Sequence, residues 1–337
     1  MGNRATPSRS FNTVKHSNRE QRKQRKLLGR KIILLMLAVI ALIALTGAIF
    51  LVCAIVDELN DRAPVDGNLP DDEDQQGDQS GTNDQIQYQN ITQPKDAIQK
   101  GVLLLINEDH SYDPSQAPDL VKISENMTLY EGVHVFNLAD GGYKLNSTAL
   151  NALNAMASKF YEMEGLDPNK LIKIGGAYRT SEEQENYDTE VGKSDHHSGY
   201  CFALRHGNDI CSDDHWIPQN AHKYGIIMRY PASKVTQTGV SGYTHCFRYV
   251  GIPHATYIYE NGLCLEEYIE LLQDQYADGT HLTVNGADGH QYAVYYVHAT
   301  TDVVTVPVPK NYEYTLSGDN DGGFIVTVDL GSPVTNE

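Results

Sequence analysis

Two short segments of the chain carry side chains that commonly bind metal ions. His196 is followed five residues later by Cys201, and His245 directly precedes Cys246. Imidazole nitrogens and thiolates are typical zinc donors. If both segments are strands, side-chain alternation puts Cys201 on the same face as Ala203 and turns His245 away from Cys246. These residues are therefore candidates for a metal site, and the alternative is a buried, hydrogen-bonded histidine together with buried thiols.

The helices and strands predicted around these residues indicate a mixed α+β domain. Residues 101–107 are an apolar run of strand length. Residues 145–161 place apolar side chains at helical spacing, with Asn146 or Ser147 as the predicted N-cap. A further helix is expected to start at Thr180, because acidic residues fill the turn that follows it.

The C-terminal part of the chain has a different pattern. Residues 265–273 predict one more short helix. After that, apolar segments are separated by glycine and aspartate turns, which is typical of strands. The sequence therefore predicts a small all-β appendage over residues 276–337, following a folded domain over residues 96–275.

The N-terminal part predicts a membrane anchor. Residues 32–56 contain no charged side chain and are long enough to cross a bilayer as a helix. Residues 1–31 carry ten Lys or Arg residues and one acid, which predicts that this tail is cytoplasmic. Residues 57–95 are rich in Asp, Gln, Asn and Gly and predict a disordered acidic stalk.

The charge of the chain narrows the choice of partners. The whole chain has a formal net charge of −18, although its first 31 residues are strongly basic. The part beyond the predicted membrane helix is therefore strongly acidic, and we expect no nucleic-acid partner. The predicted location is the plasma membrane, with a single span and the folded domain outside the cell.

Several short motifs occur between about residue 100 and residue 272. Each alone is weak evidence, but together and in this order they are specific. They are Gly101–Asn107, Gly175–Gln184, Ser194-x-His196-x-x-Gly199, Lys223–Gly225, Arg229–Pro231, Thr238-Gly239 and Arg248–Gly251. This stretch resembles the VanY-type D-alanyl-D-alanine carboxypeptidases, zinc enzymes that trim the peptide stems of bacterial cell wall. The resemblance implies a VanY-like fold, with mixed helices around a central antiparallel sheet.

The same resemblance implies a changed catalytic centre. The first zinc motif of the family, Ser-x-His-x-x-Gly-x-Ala-x-Asp, puts its histidine on His196 and its aspartate on Ala203. The second, Glu-Pro-Trp-His, puts the general base on Tyr243 and the last ligand on Cys246. A catalytic zinc needs three protein ligands, and Ala203 has no lone pair. A phenol is mostly protonated at neutral pH and is a poor base.

Two substrate-binding residues of the family are retained. Arg179 matches the arginine that faces the substrate carboxylate, and a guanidinium can bind a carboxylate through two parallel hydrogen bonds. Ser194 matches a family position that contacts substrate. The alternative for Arg179 is an ion pair with an acid of the fold. Gln184 is expected to have a packing or capping role.

Four cysteines lie beyond the predicted membrane helix and leave the disulfide pattern open: Cys201, Cys211, Cys246 and Cys264. The resemblance places Cys201 and Cys246 on strands that both line the cleft, so a disulfide between them is one hypothesis. A Cys201–Cys211 bridge is its main rival. We expect Cys264 to be a buried free thiol.

These observations lead to one main functional prediction and two alternatives. The main prediction is a membrane-anchored, non-catalytic carboxypeptidase-like domain without a cofactor, which binds a peptidoglycan stem peptide or a cell-wall protein. The first alternative is an active zinc peptidase with a rebuilt ligand set that includes His196 and Cys246. The second is a scaffold for protein partners.

Overall fold

The computed structural model describes residues 86–167, 171–205 and 210–333. All of them belong to one compact unit of the chain. The predicted cytoplasmic tail, the predicted membrane helix over 32–56 and most of the predicted stalk lie outside the described residues. Within these ranges, no helix has the length and apolar character needed to cross a membrane.

Strands occur throughout the described residues. In chain order they are β1 (Tyr88–Pro94), β2 (Leu120–Lys122), β3 (Leu129–Tyr130), β4 (Val133–His134), β5 (Phe136–Leu138), β6 (Lys144–Asn146), β7 (Ile172–Gly176), β8 (Cys201–Arg205), β9 (Ile226–Met228), β10 (Cys246–Tyr249), β11 (Leu282–Asn285), β12 (Gln291–His298), β13 (Val303–Pro309), β14 (Tyr312–Gly318) and β15 (Gly323–Pro333).

The α-helices are interleaved with the first ten strands and precede the last five. They are α1 (Ile123–Asn126), α2 (Ser147–Glu164), α3 (Ser181–Gln184), α4 (Trp216–Asn220), α5 (Val235–Thr238), α6 (Ile252–Glu260) and α7 (Leu265–Gln275). Short 3-10 turns occupy Lys95–Gln99, Pro114–Gln116, Asp195–Ser198, Ala221–Tyr224 and Ala232–Lys234.

A five-stranded sheet lies at the centre of the domain, in the spatial order β5-β7-β8-β10-β9. β7, β8, β10 and β9 pair antiparallel, but β5 and β7 are parallel. The expectation of a purely antiparallel sheet was therefore wrong at this edge. Parallel strands need a long crossover, and the chain between β5 and β7 includes the whole of α2, which packs its apolar face on the sheet.

Side-chain caps explain where the main helices begin. Asn146 accepts hydrogen bonds from the backbone N–H groups of Thr148 and Ala149, so it is the N-cap of α2, as predicted. Thr180 and Glu183 form a reciprocal capping box at the start of α3. The third predicted helix is also present, as α7.

The predicted strand over residues 101–107 is not a strand. Leu103, Leu104, Leu105 and Ile106 are buried, but their segment is irregular. The Leu103 N–H donates to Ser317 Oγ at 2.9 Å, and the Leu105 N–H donates to the Asp319 carbonyl at 2.8 Å. These two N–H groups are thus satisfied by Ser317, near the end of β14, and by Asp319, just after it, rather than by a strand ladder.

The predicted stalk ends earlier than residue 95. Tyr88–Pro94 forms β1 and pairs antiparallel along its whole length with β13. The remaining C-terminal strands form a four-stranded sheet in the order β11-β12-β15-β14. The C-terminal β region therefore includes a strand from before the carboxypeptidase-like domain, a long-range pairing that local composition does not reveal.

The C-terminal sheet shares a hydrophobic core with the rest of the unit. Ile227 and Val250 from the central sheet region pack in the same buried cluster as Tyr268 of α7 and Val294 of β12. His254 of α6 adds side-chain hydrogen bonds to this contact, with Tyr268 of α7 and with Thr327 of β15. The strands after residue 276 are therefore packed onto the domain rather than appended to it.

Candidate functional site

The floor of the site is a row of residues on three adjacent strands. Ala203 of β8 pairs with Cys246 of β10 on one side and with Gly176 of β7 on the other. The strand register therefore places Ala203 and Cys246, the residues at two of the family's ligand positions, directly opposite each other. The only atom that the Ala203 side chain offers to this floor is a methyl carbon, which cannot ligate a metal.

His196 stands over this floor. It lies in the 3-10 turn Asp195–Ser198, and its Cε1 is 3.6 Å from the position that a Cβ on Gly176 would occupy. Its side chain is buried, and its Nδ1 has no hydrogen-bond partner among the described residues. The neighbouring His197 donates through Nδ1 to the Arg179 carbonyl at 2.9 Å, and burial lowers its pKa.

Two thiols complete the floor. Cys201 is wholly buried, and the Cys246 thiol and the His196 ring both contact it. Burial raises the pKa of the Cys201 thiol well above its ordinary value, and a hydrogen bond with Cys246 raises it further. The thiol is therefore protonated at neutral pH, as expected for a structural cysteine in apolar surroundings.

The predicted disulfides are absent. Cys201, Cys211, Cys246 and Cys264 are all free thiols. Because Cys246 is opposite Ala203, Cys201 is its diagonal neighbour, and diagonal Cα atoms in a sheet are roughly 7–8 Å apart. A disulfide needs Cα atoms within about 7 Å and closely spaced Cβ atoms. Cys264 is a buried free thiol, as predicted.

The residue at the family's general-base position lies at the edge of the site. Tyr243 is 46% exposed in the loop before β10, and its ring centroid is 5.6 Å from that of His245. Burial lowers the pKa of His245, and the nearby His196 lowers it further. His245 precedes the first residue of β10, so the predicted strand alternation does not apply to it and does not turn it away from the site.

Arg179 is held over the same floor. Its Nη2 is 3.6 Å from the position of a Gly176 Cβ, and its guanidinium carbon lies 3.6 Å above the Tyr187 ring. Its Nη1 donates to Gln184 Oε1 at 3.2 Å, and Gln184 Nε2 donates to the Thr189 carbonyl at 2.8 Å. Gln184 therefore positions the arginine, a role that sequence reasoning missed although the two residues flank a recognisable capping box.

No carboxylate among the described residues forms an ion pair with Arg179. The alternative of an internal ion pair is therefore not found among these residues, and an aromatic face and an amide oxygen hold the side chain. Ser194 is buried at the start of the turn that carries His196. Its role in substrate contact stays a prediction.

An ionic network centred on the buried side chains of Asp195, Arg229 and Arg248 fixes the His196 turn, and the motifs alone did not predict it. Asp195 Oδ2 accepts from Arg229 Nε at 2.6 Å, and its Oδ1 accepts from Arg248 Nη1. Arg229 also makes two hydrogen bonds to Glu266 of α7, at 2.7 and 2.9 Å. The Arg248 Nη2 group donates to the Val102 carbonyl at 2.9 Å. The network thus ties the site to the irregular segment and to α7.

These donors do not fit the catalytic zinc of the family. Ala203 cannot ligate, and Tyr243, at the general-base position, is a phenol at the rim of the site. Across the part of the chain that the structure describes, no group of three or more His, Cys, Asp or Glu side chains could hold a metal ion. Among the described residues of this turn, His196 Nδ1 and His197 Nε2 are buried nitrogens without a hydrogen-bond partner.

Comparison with known proteins identifies relatives of the chain. The profile of the VanY family, described as D-alanyl-D-alanine carboxypeptidase, matches residues 154–252. A D-alanyl-D-alanine carboxypeptidase of Enterococcus faecium is 32% identical over 278 residues, which cover 76% of this chain and 84% of that protein. The putative carboxypeptidase YodJ of Bacillus subtilis is 27% identical over 191 residues, which cover 51% of this chain and 68% of YodJ.

One solved structure has a similar overall fold. It is the vancomycin resistance D,D-dipeptidase VanXYg, in complex with a D-Ala-D-Ala phosphinate analog. The match has a TM-score of 0.61 and a sequence identity of 24%, and it covers 72% of this chain and 99% of that one. This similarity shows the fold and leaves the chemistry of the site to the residues described above.

Proposed function

Because the chain belongs to the VanY-type D-alanyl-D-alanine carboxypeptidase family, we propose that its cleft binds the carboxylate end of a peptidoglycan stem peptide without hydrolysing it. The relatives are named for action on D-Ala-D-Ala termini. A peptide that ends in D-Ala-D-Ala carries a terminal carboxylate, which could lie beside Arg179. We further propose that the domain faces the cell wall and is anchored by the span over residues 32–56.

The position of Arg179 carries this proposal. Its guanidinium is half-buried and held by Gln184 and Tyr187, so little side-chain freedom remains to be lost on binding. Its Nη2 end and the His196 ring approach the same point above Gly176. A planar guanidinium without an acidic partner among the described residues can donate two parallel hydrogen bonds to an incoming carboxylate.

The same floor argues against hydrolysis. Peptide-bond cleavage by this family's chemistry requires a metal-activated water and a base that removes its proton. The site has the Ala203 methyl group where a ligand is needed. It has the exposed phenol of Tyr243 where a carboxylate base is needed. Recognition of the peptide end needs neither group.

Titration of the purified full-length chain with a peptide that ends in D-Ala-D-Ala tests the proposal. Charge-assisted hydrogen bonds contribute roughly 1.5–3 kcal/mol each, and association costs offset much of this. We expect a Kd on the order of 0.1–1 mM. The Arg179→Ala variant and a peptide with an amidated C-terminus should each weaken binding about tenfold or more. Gln184→Met should weaken it less, and Lys310→Ala, which removes a remote exposed charge, should not weaken it.

Release of D-alanine and zinc content should be measured on the same preparation. We expect neither D-alanine release nor stoichiometric zinc. Chelator-sensitive release with one zinc per chain would instead identify an active peptidase with His196 and Cys246 as ligands. If neither the wild type nor Arg179→Ala binds millimolar peptide, the domain is a scaffold for cell-wall protein partners.

A further inference from the structure

A second cleft, of about 470 Å³, lies between the central-sheet part of the unit and the C-terminal sheet. Tyr249 lines it, and Tyr249 is three residues beyond Cys246 on β10. Because side chains alternate along a strand, Tyr249 faces the opposite side of the sheet from Cys246. This cleft is therefore separate from the site that holds Arg179 and His196.

The floor of the second cleft is a row across three paired strands. Asp329 of β15 is opposite Tyr292 of β12 and opposite Glu313 of β14. Thr327 and Thr315 form the next row on the same face and also line the cleft. Two carboxylates on directly opposed positions of neighbouring strands repel each other.

The walls of the cleft are aromatic. The Tyr200 and Tyr249 rings stack with centroids 6.4 Å apart and an interplanar angle of 26°. Tyr292 lines the same space from the C-terminal sheet, and the remaining lining is largely Val250–Pro253. Three tyrosines thus surround a floor that carries two carboxylates.

The charge inside this cleft is only partly compensated. Its lining contains no lysine or arginine. The Asp329 carboxylate is paired with His290 Nδ1 at 2.9 Å. Glu313 is exposed, and its carboxylate has no hydrogen bond or ion pair with any residue that the structure describes. A negative charge therefore faces an aromatic enclosure, and the complementary ligand is cationic.

We propose that this cleft binds an alkylammonium cation, with the ammonium group between the Glu313 carboxylate and the tyrosine rings. The negative face of an aromatic ring attracts such a cation, and a nearby carboxylate strengthens the attraction. An anionic ligand is disfavoured by the same two carboxylates. A neutral ligand would gain the aromatic contacts but leave the charge of Glu313 unmatched.

Choline is a suitable probe, and 3,3-dimethyl-1-butanol is its uncharged isostere. We expect ligand-observed NMR on the full-length chain to show choline binding with a Kd on the order of millimolar. The isostere should bind at least fivefold more weakly, about the factor that an exposed ion pair of 1 kcal/mol gives. Glu313→Gln should weaken choline binding by a similar factor. Glu270→Gln, which removes an exposed acid on α7, should leave it unchanged.

Each contrary result would reject the cation site. Absence of choline binding up to about 20 mM would do so, since that is well above the Kd expected from these contacts. Equal binding of choline and its isostere would do so too, because charge would then contribute nothing. Equal effects of Glu313→Gln and Glu270→Gln would place the ligand elsewhere.

Binding of N-acetylglucosamine without choline would identify a neutral saccharide site instead. The comparison of the two probes uses wild-type protein, so it does not depend on the folding of a variant.

Discussion

Replacement of Asp195 by asparagine is expected to lower the free energy of unfolding by about 3–5 kcal/mol. The Asp195 carboxylate is 1% exposed and contacts two arginines that are each 0% exposed, Arg229 and Arg248. An asparagine of the same size keeps one acceptor oxygen and removes the charge. Arg248 would then be a buried cation held only by backbone carbonyls, whereas Arg229 would keep Glu266.

The position of each acid in the network sets the order of effects. Glu266 is 15% exposed, so water can reach this end of the network when the carboxylate charge is removed. We expect Glu266→Gln to cost less, about 2 kcal/mol, which is the contribution of hydrogen bonds to a charged group. Asp188 is exposed and lies outside the network, so Asp188→Asn should stay within about 0.5 kcal/mol of the wild type.

Chemical denaturation of the three variants and the wild type measures these differences. A loss of 3–5 kcal/mol is a large fraction of the total of about 5–15 kcal/mol that is typical of a domain, so the unfolding midpoint should move clearly. If Asp195→Asn and Asp188→Asn shift the midpoint equally, the network does not hold the His196 turn. If Glu266→Gln is the more damaging change, burial is not what sets the cost.

Two further predictions concern pH and topology. Burial lowers the pKa of His254 to about 3. Between that pH and about 6.5, the unfolded chain therefore binds more protons than the folded chain. The free energy of unfolding should fall as the pH drops below about 6.5. His254→Gln should flatten this fall in a series of unfolding midpoints, and an unchanged slope would contradict the assignment. Protease added to intact cells should release the folded domain and spare residues 1–31, and protection of the domain would reverse the proposed orientation.

The family resemblance predicted that the strands carrying positions 201 and 246 line the same site, and β8 and β10 are indeed neighbours. It did not give their register, which places Ala203 opposite Cys246. Residue type narrowed the N-cap of α2 to Asn146 or Ser147, and the structure shows that the Asn146 side chain satisfies the free N–H groups of the first helical turn.

Features that depend on distant contacts could not be predicted in this way. The segment over 101–107 has the composition of a strand, but its hydrogen-bond partners lie more than 200 residues away, at Ser317 and Asp319. β1 has the polar composition of a stalk and becomes a strand only because β13 pairs with it. The Cys201–Cys246 hypothesis failed for a related reason, because an offset of two residues across a strand pair is too wide for a disulfide.

The buried ionic network explains how this fold can persist with a changed site. Asp195 immediately precedes His196, and Arg248 follows Cys246 by two residues, yet their charges compensate each other inside the core. The turn that carries His196 is therefore held without help from a metal. Arg179 is likewise held by Gln184 and Tyr187 rather than by any zinc-site residue. Since neither the framework nor the position of Arg179 depends on residues 203, 243 and 246, the proposed binding of a carboxylate does not require the zinc chemistry of the family.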